Sequence, residues 1–291
     1  MDLIVAKKAF PKRIYTKYFS KPVKKVLTYF FLILASVLFI IPFIWMISSS
    51  LKLNTEVFEF PIRWIPLKPR WENYIIIWSK INLAIYFLNT LKITLCVIAC
   101  QLVTCSLAAY AFAKVEFPER DKLFLLYLGT MMLPYPVIMI PQFMMIKNLG
   151  LNDTHLAIIL LNAFSPFGVF LLRQFFITIP IELSEAARID GLNEFGIYHK
   201  ILLSLVKPAI TTLFISTFMY IWNDFLSPLI YLSSDAKKTI QIGMRSFLTQ
   251  YRGDYAYIMV TSVCAILPVF VVFIFGQKYF IEGIATSGLK V

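Results

Sequence analysis

Apolar residues fall along this chain in long unbroken runs, not in the strict alternation of a strand or the narrow stripe of a soluble helix. Six runs reach the roughly 20 residues that a helix needs to cross a bilayer: Val26–Ile47, Ile85–Ala113, Leu123–Ile146, His155–Ile177, Ala209–Leu232 and Tyr257–Ile281. In hydrocarbon every backbone N–H and C=O must be satisfied within the segment, so these runs predict helices. Barrel strands would be about 10 residues long and alternating, a pattern the chain lacks. Prolines interrupt several runs: Pro134, Pro136 and Pro141 in the third, Pro166 in the fourth, Pro228 in the fifth and Pro268 in the sixth. Each is predicted to kink or break its helix. Between the first two runs lies a long loop, Ser48–Asn82, with Pro61, Pro66 and Pro69. These disfavour a simple helix there, while Trp64, Trp71 and Trp78 suit a membrane–water interface.

Composition agrees with this pattern. The 291 residues are 59% hydrophobic and 15% charged, with mean hydropathy +0.75, against about 45–50% and 25% for soluble domains. The net charge of +12 would admit a nucleic-acid partner, but its placement argues otherwise. Lys7, Lys8, Lys12, Arg13, Lys17, Lys21, Lys24 and Lys25 precede the first run, against the single acid Asp2. By the positive-inside rule they hold the N-terminus in the cytoplasm, and six spans return the C-terminus to the same side. The first run is too long for a signal-peptide core and no small-residue cleavage site follows it, so it is expected to be an uncleaved helix. The cysteines, Cys96, Cys100, Cys105 and Cys264, lie inside apolar runs as packing residues. Neither they nor His155 and His199 compose a metal set or a catalytic pair.

One stretch breaks the apolar rhythm: LSEAARIDGLNEF, Leu183–Phe195. It predicts a helix from Ile181 to Asp190 started at Thr178–Pro180, with Gly191 as the residue just past its end. Asn193 then suits the N-cap of a second helix, in which Phe195, Tyr198, Ile201, Leu202 and Leu205 share one face. The result is a charged elbow on the cytoplasmic side. Arg173, Arg188, Lys200 and Lys207 balance Glu182, Glu185, Asp190 and Glu194, whereas phosphate binding needs a positive excess. Two readings remain, a solvated loop and a docking element. In the second, Ala186 and Ala187 allow close approach while Glu185 and Arg188 set register.

EAARIDG, with ILL ten residues after its glycine, resembles the EAA loop of binding-protein-dependent ABC importer permeases. Glu185, Ala186, Ala187, Gly191, Ile201 and Leu203 match the motif; Ser204 stands where the family usually has proline, which suggests a smoother second helix. SLKLNTEVFEFPIRWIP, NDFLSPLIYL and QKYFIEGIATSGLKV are similar to further segments of the carbohydrate, oligosaccharide-importing branch and its smaller, MalG-like subunit. The resemblance implies an all-α membrane protein with six transmembrane helices, the type-1 importer permease fold, and a cytoplasmic coupling helix. It divides the chain into 1–84 (basic N-terminus, first helix, outer loop), 85–281 (transmembrane domain, EAA loop at 178–208) and 282–291 (cytoplasmic tail). It implies that Glu185, Ala186, Ala187, Arg188, Asp190 and Gly191 couple to an ATPase. The implied partners are a second permease subunit, two ATPase subunits, an extracellular sugar-binding protein and the lipid bilayer. No glycine-rich phosphate loop of the G-x-x-x-x-G-K-[ST] kind is present. The chain itself is therefore expected to bind no cofactor and no metal, ATP and Mg²⁺ being used by the partner ATPase.

Within the apolar runs one acid lies deep, Asp224 in YIWNDFLSPLIYL. An ionisable group at such depth faces a cavity or a partner. Asp224 is thus a candidate for the substrate path with Asn223, Trp222 and Tyr220, or a structural contact; Gln101 and Asn162 are candidates for helix–helix hydrogen bonds. The alternatives to a sugar importer are an importer of another solute and a six-span secondary transporter. The latter leaves the elbow without a task.

Overall fold

The computed structural model describes residues 21–248 and 253–288. The basic arm before Lys21 and the last three residues lie outside the described residues. Among the described residues, three helices are long and apolar enough to span a membrane: α1 (Lys21–Ser50), α3 (Leu83–Lys114) and α14 (Tyr255–Gly288). Between α1 and α3, α2 (Glu72–Lys80) starts just past the last loop proline and buries Ile77. Three further spans are bent pairs. The first joins α4 (Arg120–Gly129), with a 3₁₀ turn to Met132, to α5 (Tyr135–Asn148) through a 98° bend. The second joins α6 (His155–Leu161) to α7 (Pro166–Thr178) through 43°. In the third, α8 (Glu182–Ile189) leads to α9 (Glu194–Gly196), a π-helical stretch Ile197–Leu202 and α10 (Leu203–Leu205). The chain then turns through 79° into α11 (Lys207–Trp222). Next come α12 (Leu226–Tyr231) and α13 (Ile240–Arg245) before α14.

The prolines explain most of the breaks. Pro136 lies in the first turn of α5, just after its N-cap Pro134, and Pro166 begins α7, where a missing N–H costs nothing. Pro141 and Pro268, expected to interrupt their helices, lie inside continuous α5 and α14, because neighbouring helices can absorb one lost backbone bond. α14 continues through Gly288, into the residues assigned to a C-terminal tail.

α3 is the central element. It packs along α7 and α11, α14 packs on α11, and α1 lies on the outside against α14. The 26-residue stretch Lys25–Ser50 of α1 otherwise faces outward, as a lipid-exposed helix must. Where α7 starts, Gly168 lets it approach α3 and α11: a Cβ there would stand 2.9 Å from Cys105 Sγ and 3.0 Å from Leu213 Cδ1. The carbonyls freed at the α6–α7 break are capped from α3. Gln101 Nε2 donates to Asn162 O (2.7 Å) and Thr104 Oγ1 to Ala163 O (2.7 Å). Thr217 of α11 donates to Gln101 Oε1 (2.7 Å), so both ends of this membrane-depth amide are used.

Candidate functional site

The elbow forms because its turn residues leave few alternatives. α8 ends in a left-handed residue, Gly191 (φ +83°). Leu192 N–H bonds Ala187 O and Gly191 N–H bonds Arg188 O, the pair of bonds that satisfies a helix's last carbonyls. Asn193 caps the next turn, its side chain accepting from Gly196 N–H at 2.8 Å.

The second half departs from expectation. It is not one regular helix but a short α turn, a π segment and another short turn. Leu203 N–H reaches Tyr198 O, five residues back. This wider winding shifts the inward face, so Ile197, Tyr198, Leu202 and Val206 are buried while Phe195 and Leu205 are 64% and 51% exposed. Nor does Ser204 let the chain run on smoothly. Its hydroxyl bonds Ile201 O (2.6 Å) on the exposed side, and the chain turns at Val206 because Pro208 opens α11.

Polar bonds tie the elbow to α3. Glu194 accepts from Arg188 Nε at 2.7 Å and, through its other oxygen, from the Tyr110 hydroxyl. The hydrogen bond to Glu194, then its charge, raise the Arg188 pKa above its ordinary value, so this guanidinium stays charged. Tyr198 and Ser106 hydroxyls lie 2.7 Å apart, and Lys114 Nζ donates to Ile179 O. Below these bonds one apolar cluster joins Ala109 and Tyr110 of α3, Leu172 and Phe176 of α7, Ala187 of α8, and Tyr198, Leu202 and Leu213.

The two alanines therefore differ. Ala187, with Ser184, faces this chain's own core and is 3% exposed, so it supplies no smooth outer surface. Ala186 faces outward with Glu182, Glu185 and Ile189, at the spacing that places residues on one helical face. Ile189, 87% exposed, is the residue sequence reasoning missed; its position in that stripe was the available signal.

The four path candidates also separate. Trp222 is wholly buried. Its Nε1–H donates to Ala265 O (2.9 Å), and its ring stacks on Phe218 and meets Phe87 edge-on, so it presents no open aromatic face. Asn223 and Tyr220 are exposed, and the Asn223 amide is turned back to Met219 O. Asp224 does not lie on a continuous fifth helix. α11 stops at Trp222 because Asn and Asp side chains compete for backbone groups. One Asp224 oxygen accepts from Ser227 N–H at the start of α12 (3.1 Å), and the other is shielded, with no partner among the described residues.

At the opposite end of the bundle, Asp153 clamps the loop after α12. It accepts from Ser233 and Ser234 N–H, the Ser234 hydroxyl and Lys237 Nζ. These bonds, the Ser234 hydroxyl first, hold its pKa well below the usual carboxylate range.

The fold and much of the sequence are similar to those of known proteins. A solved bacterial ABC transporter involved in the import of the acidic polysaccharide alginate has a chain of the same fold. Its TM-score is 0.80 at 23% identity, covering 91% of this chain and 100% of that one. Over 268 residues the chain is 35% identical to the arabinooligosaccharides transport system permease protein AraQ of Bacillus subtilis (strain 168), covering 91% of this chain and 95% of the relative. It is 32% identical over 262 residues to the lactose transport system permease protein LacG of Rhizobium radiobacter, covering 90% and 95%. Residues 103–285, which include the elbow and all the bent pairs, match the binding-protein-dependent transport system inner membrane component, and the chain belongs to that family of multi-pass membrane proteins.

Proposed function

We propose that this chain is the permease subunit of an ATP-driven importer for a sugar or oligosaccharide. The sugar assignment follows the substrates named for its relatives. The observation that carries the mechanism is the elbow's division into two faces. Ser184 and Ala187 fasten it inward, and Glu182, Glu185, Ala186 and Ile189 remain open for a partner. In this reading the open face docks on an ATPase subunit, one of two. A second, non-identical permease completes the pathway, and an external binding protein delivers the sugar. ATP and Mg²⁺ act in the ATPase pair, whose closing and opening moves the elbow. Because Glu194, Tyr198 and Lys114 tie the elbow to α3 and its neighbours, that displacement tilts the bundle between outward and inward openings. The basic arm before α1 supports cytoplasmic termini, on the same side as the elbow.

The test is reconstitution of the chain with its second permease, ATPase and binding protein in proteoliposomes. ATP-dependent uptake of lactose, arabino-oligosaccharides or another sugar is the expected result. Uptake confined to a non-carbohydrate solute would leave the coupling mechanism standing and replace the substrate. Uptake driven by an ion gradient without the ATPase would favour a secondary transporter instead.

A further inference from the structure

Trp64, Trp71 and Trp78, between α1 and α3, take no part in the coupling mechanism. The loop that carries them is held firmly at its base. Arg70 N–H bonds Leu51 O (2.9 Å), which closes residues 51–70 on themselves. The Asn73 amide of α2 donates to Ser50 O (2.9 Å) and Lys52 O (3.0 Å), and the Tyr74 and Ser50 hydroxyls lie 2.8 Å apart. Asn54 Nδ2 donates to Gly253 O (2.9 Å), just ahead of α14. Ile77 of α2 shares an apolar cluster with Leu83, the first residue of α3. The elbow bonds Ser106, Tyr110 and Lys114, near the other end of the same helix, so this loop lies at the opposite end of the bundle.

Beyond that base the loop leaves its apolar side chains open. Phe60, Ile65, Leu67 and Trp71 are 89%, 83%, 81% and 67% exposed. On α2 the exposed Trp71, Ile75 and Trp78 follow the i, i+4, i+7 spacing of one helical face, opposite the buried Asn73 and Ile77. Apolar side chains are rarely left in water in such number and proximity. Nor does the loop rise away from the bundle. The Phe58 ring meets Trp45 of α1 (centroids 5.9 Å apart) and, edge-on, Tyr255, the first residue of α14 (4.8 Å). Trp45 lies five residues before the end of α1, about 7.5 Å down its axis. The loop therefore lies alongside the ends of two membrane-spanning helices.

We propose that residues 58–78 form an interfacial anchor, a surface seated in the boundary between lipid headgroups and acyl chains at the end of the bundle away from the elbow. The occupant is the bilayer because the patch is continuous with the lipid-facing side of α1 through the Phe58–Trp45 contact. Composition agrees. Tryptophan rings are favoured at that depth. The exposed Arg63, Lys68 and Lys80 can lay their stems along apolar surface and keep their charge among the headgroups, whereas the buried centre of a protein interface is depleted in lysine. A docking protein that comes and goes would return these side chains to water at each departure, while lipid covers them throughout. Seated there, the loop gives the ends of α1 and α14 a fixed depth against which the rest of the bundle moves. The inference is independent of the solute carried.

The first test needs no substitution. The assembled importer, in liposomes of phosphatidylcholine and phosphatidylglycerol without binding protein, is labelled by a lipid-soluble carbene reagent or by hydroxyl radicals generated in water, then cut with trypsin and read by mass spectrometry. Cleavage after Arg63, Arg70 and Lys80 isolates residues 64–70 and 71–80. Both should take up carbene as residues 26–52 do, which carry the lipid-facing part of α1, and roughly an order of magnitude more than residues 189–200 of the elbow. Strong oxidation of the three tryptophans, with carbene uptake no higher than in residues 189–200, overturns the anchor and leaves the loop to water or a visiting receptor. Protection from both reagents also overturns it, because another protein then covers the patch. Replacing Ile65→Glu and Leu67→Glu together gives the second reading. Carbene uptake by residues 64–70 should fall and oxidation of Trp64 should rise, with ATPase co-purification unchanged, and unaltered labelling in that variant contradicts seating in lipid.

Discussion

Enlarging Ala187 to leucine separates the elbow's inner face from its outer one. Ala187 is 3% exposed and belongs to the cluster that includes Ala109, Tyr110, Phe176 and Tyr198. Added methylenes in such a packed position cost about 1–3 kcal/mol, which raises the population of a displaced elbow by about 5- to 150-fold. The cost falls on this chain whether or not an ATPase is present. Ala186→Arg places a larger group on the open face and should leave the chain's own stability within about 0.5 kcal/mol. Two measurements decide the matter: thermal unfolding of the isolated permease in detergent, and the amount of ATPase subunit that co-purifies with it. Ala187→Leu should lower the unfolding temperature and, secondarily, co-purification. Ala186→Arg should abolish co-purification with the unfolding temperature unchanged. If Ala187→Leu releases the ATPase while the permease keeps its full stability, the division into inner and outer faces is wrong.

Other consequences can be checked singly. Gly191→Ala should destabilise the elbow by about 1–2 kcal/mol through its left-handed backbone alone, since a Cβ there meets nothing within 4 Å; Gly191→Asn should cost less, and equal unfolding temperatures for the two would count against the strain argument. Trp222→Phe removes the Nε1–H bond to Ala265 O and should cost about 1–3 kcal/mol in stability; a changed substrate range at unchanged stability would return Trp222 to the path. The depressed pKa of Asp153 means that its clamp adds stability above the ordinary carboxylate pKa of about 3.9 and loses it as pH falls below that value. Asp153→Asn should therefore flatten the acid limb of the unfolding curve, measured by tryptophan fluorescence between pH 5 and 2, and an unaltered limb would contradict the assignment.

What could be foreseen in the sequence was governed by local chemistry. Gly191 as the residue past a helix and Asn193 as the following cap depend on φ and on one side-chain bond, both set by residue type, and both appear where expected. The apolar runs likewise located α1, α3 and α14 within a few residues. What was not legible depends on packing between distant segments. The π turn at Ile197–Leu202 follows no 3.6-residue period, so Tyr198 and Leu202 face inward as expected while Phe195 and Leu205, at the two ends of the expected face, are exposed. The inward turn of Ala187 comes from its neighbours on α3 and α7, which no spacing within EAARIDG encodes. Asp224 was placed on a continuous helix because its run is uniformly apolar around it. The Asn-Asp pair was the available sign of a break, and it was outweighed by the hydropathy of the flanks.

The position of the breaks argues for a division of labour among the helices. A helix interrupted at membrane depth frees backbone groups that lipid cannot satisfy, so some neighbour must supply donors and acceptors. Here that neighbour is largely α3, which remains unbroken for 32 residues. Tyr110, Ser106 and Lys114 hold the elbow, Thr104 and Gln101 hold the α6–α7 break, and Gln101 also receives Thr217 of α11, the helix that runs on to Asp224. A rigid helix that satisfies several flexible junctions cannot shift without disturbing each of them. Displacement of the elbow therefore reaches the interior breaks through bonds that must be kept or exchanged, not through diffuse deformation.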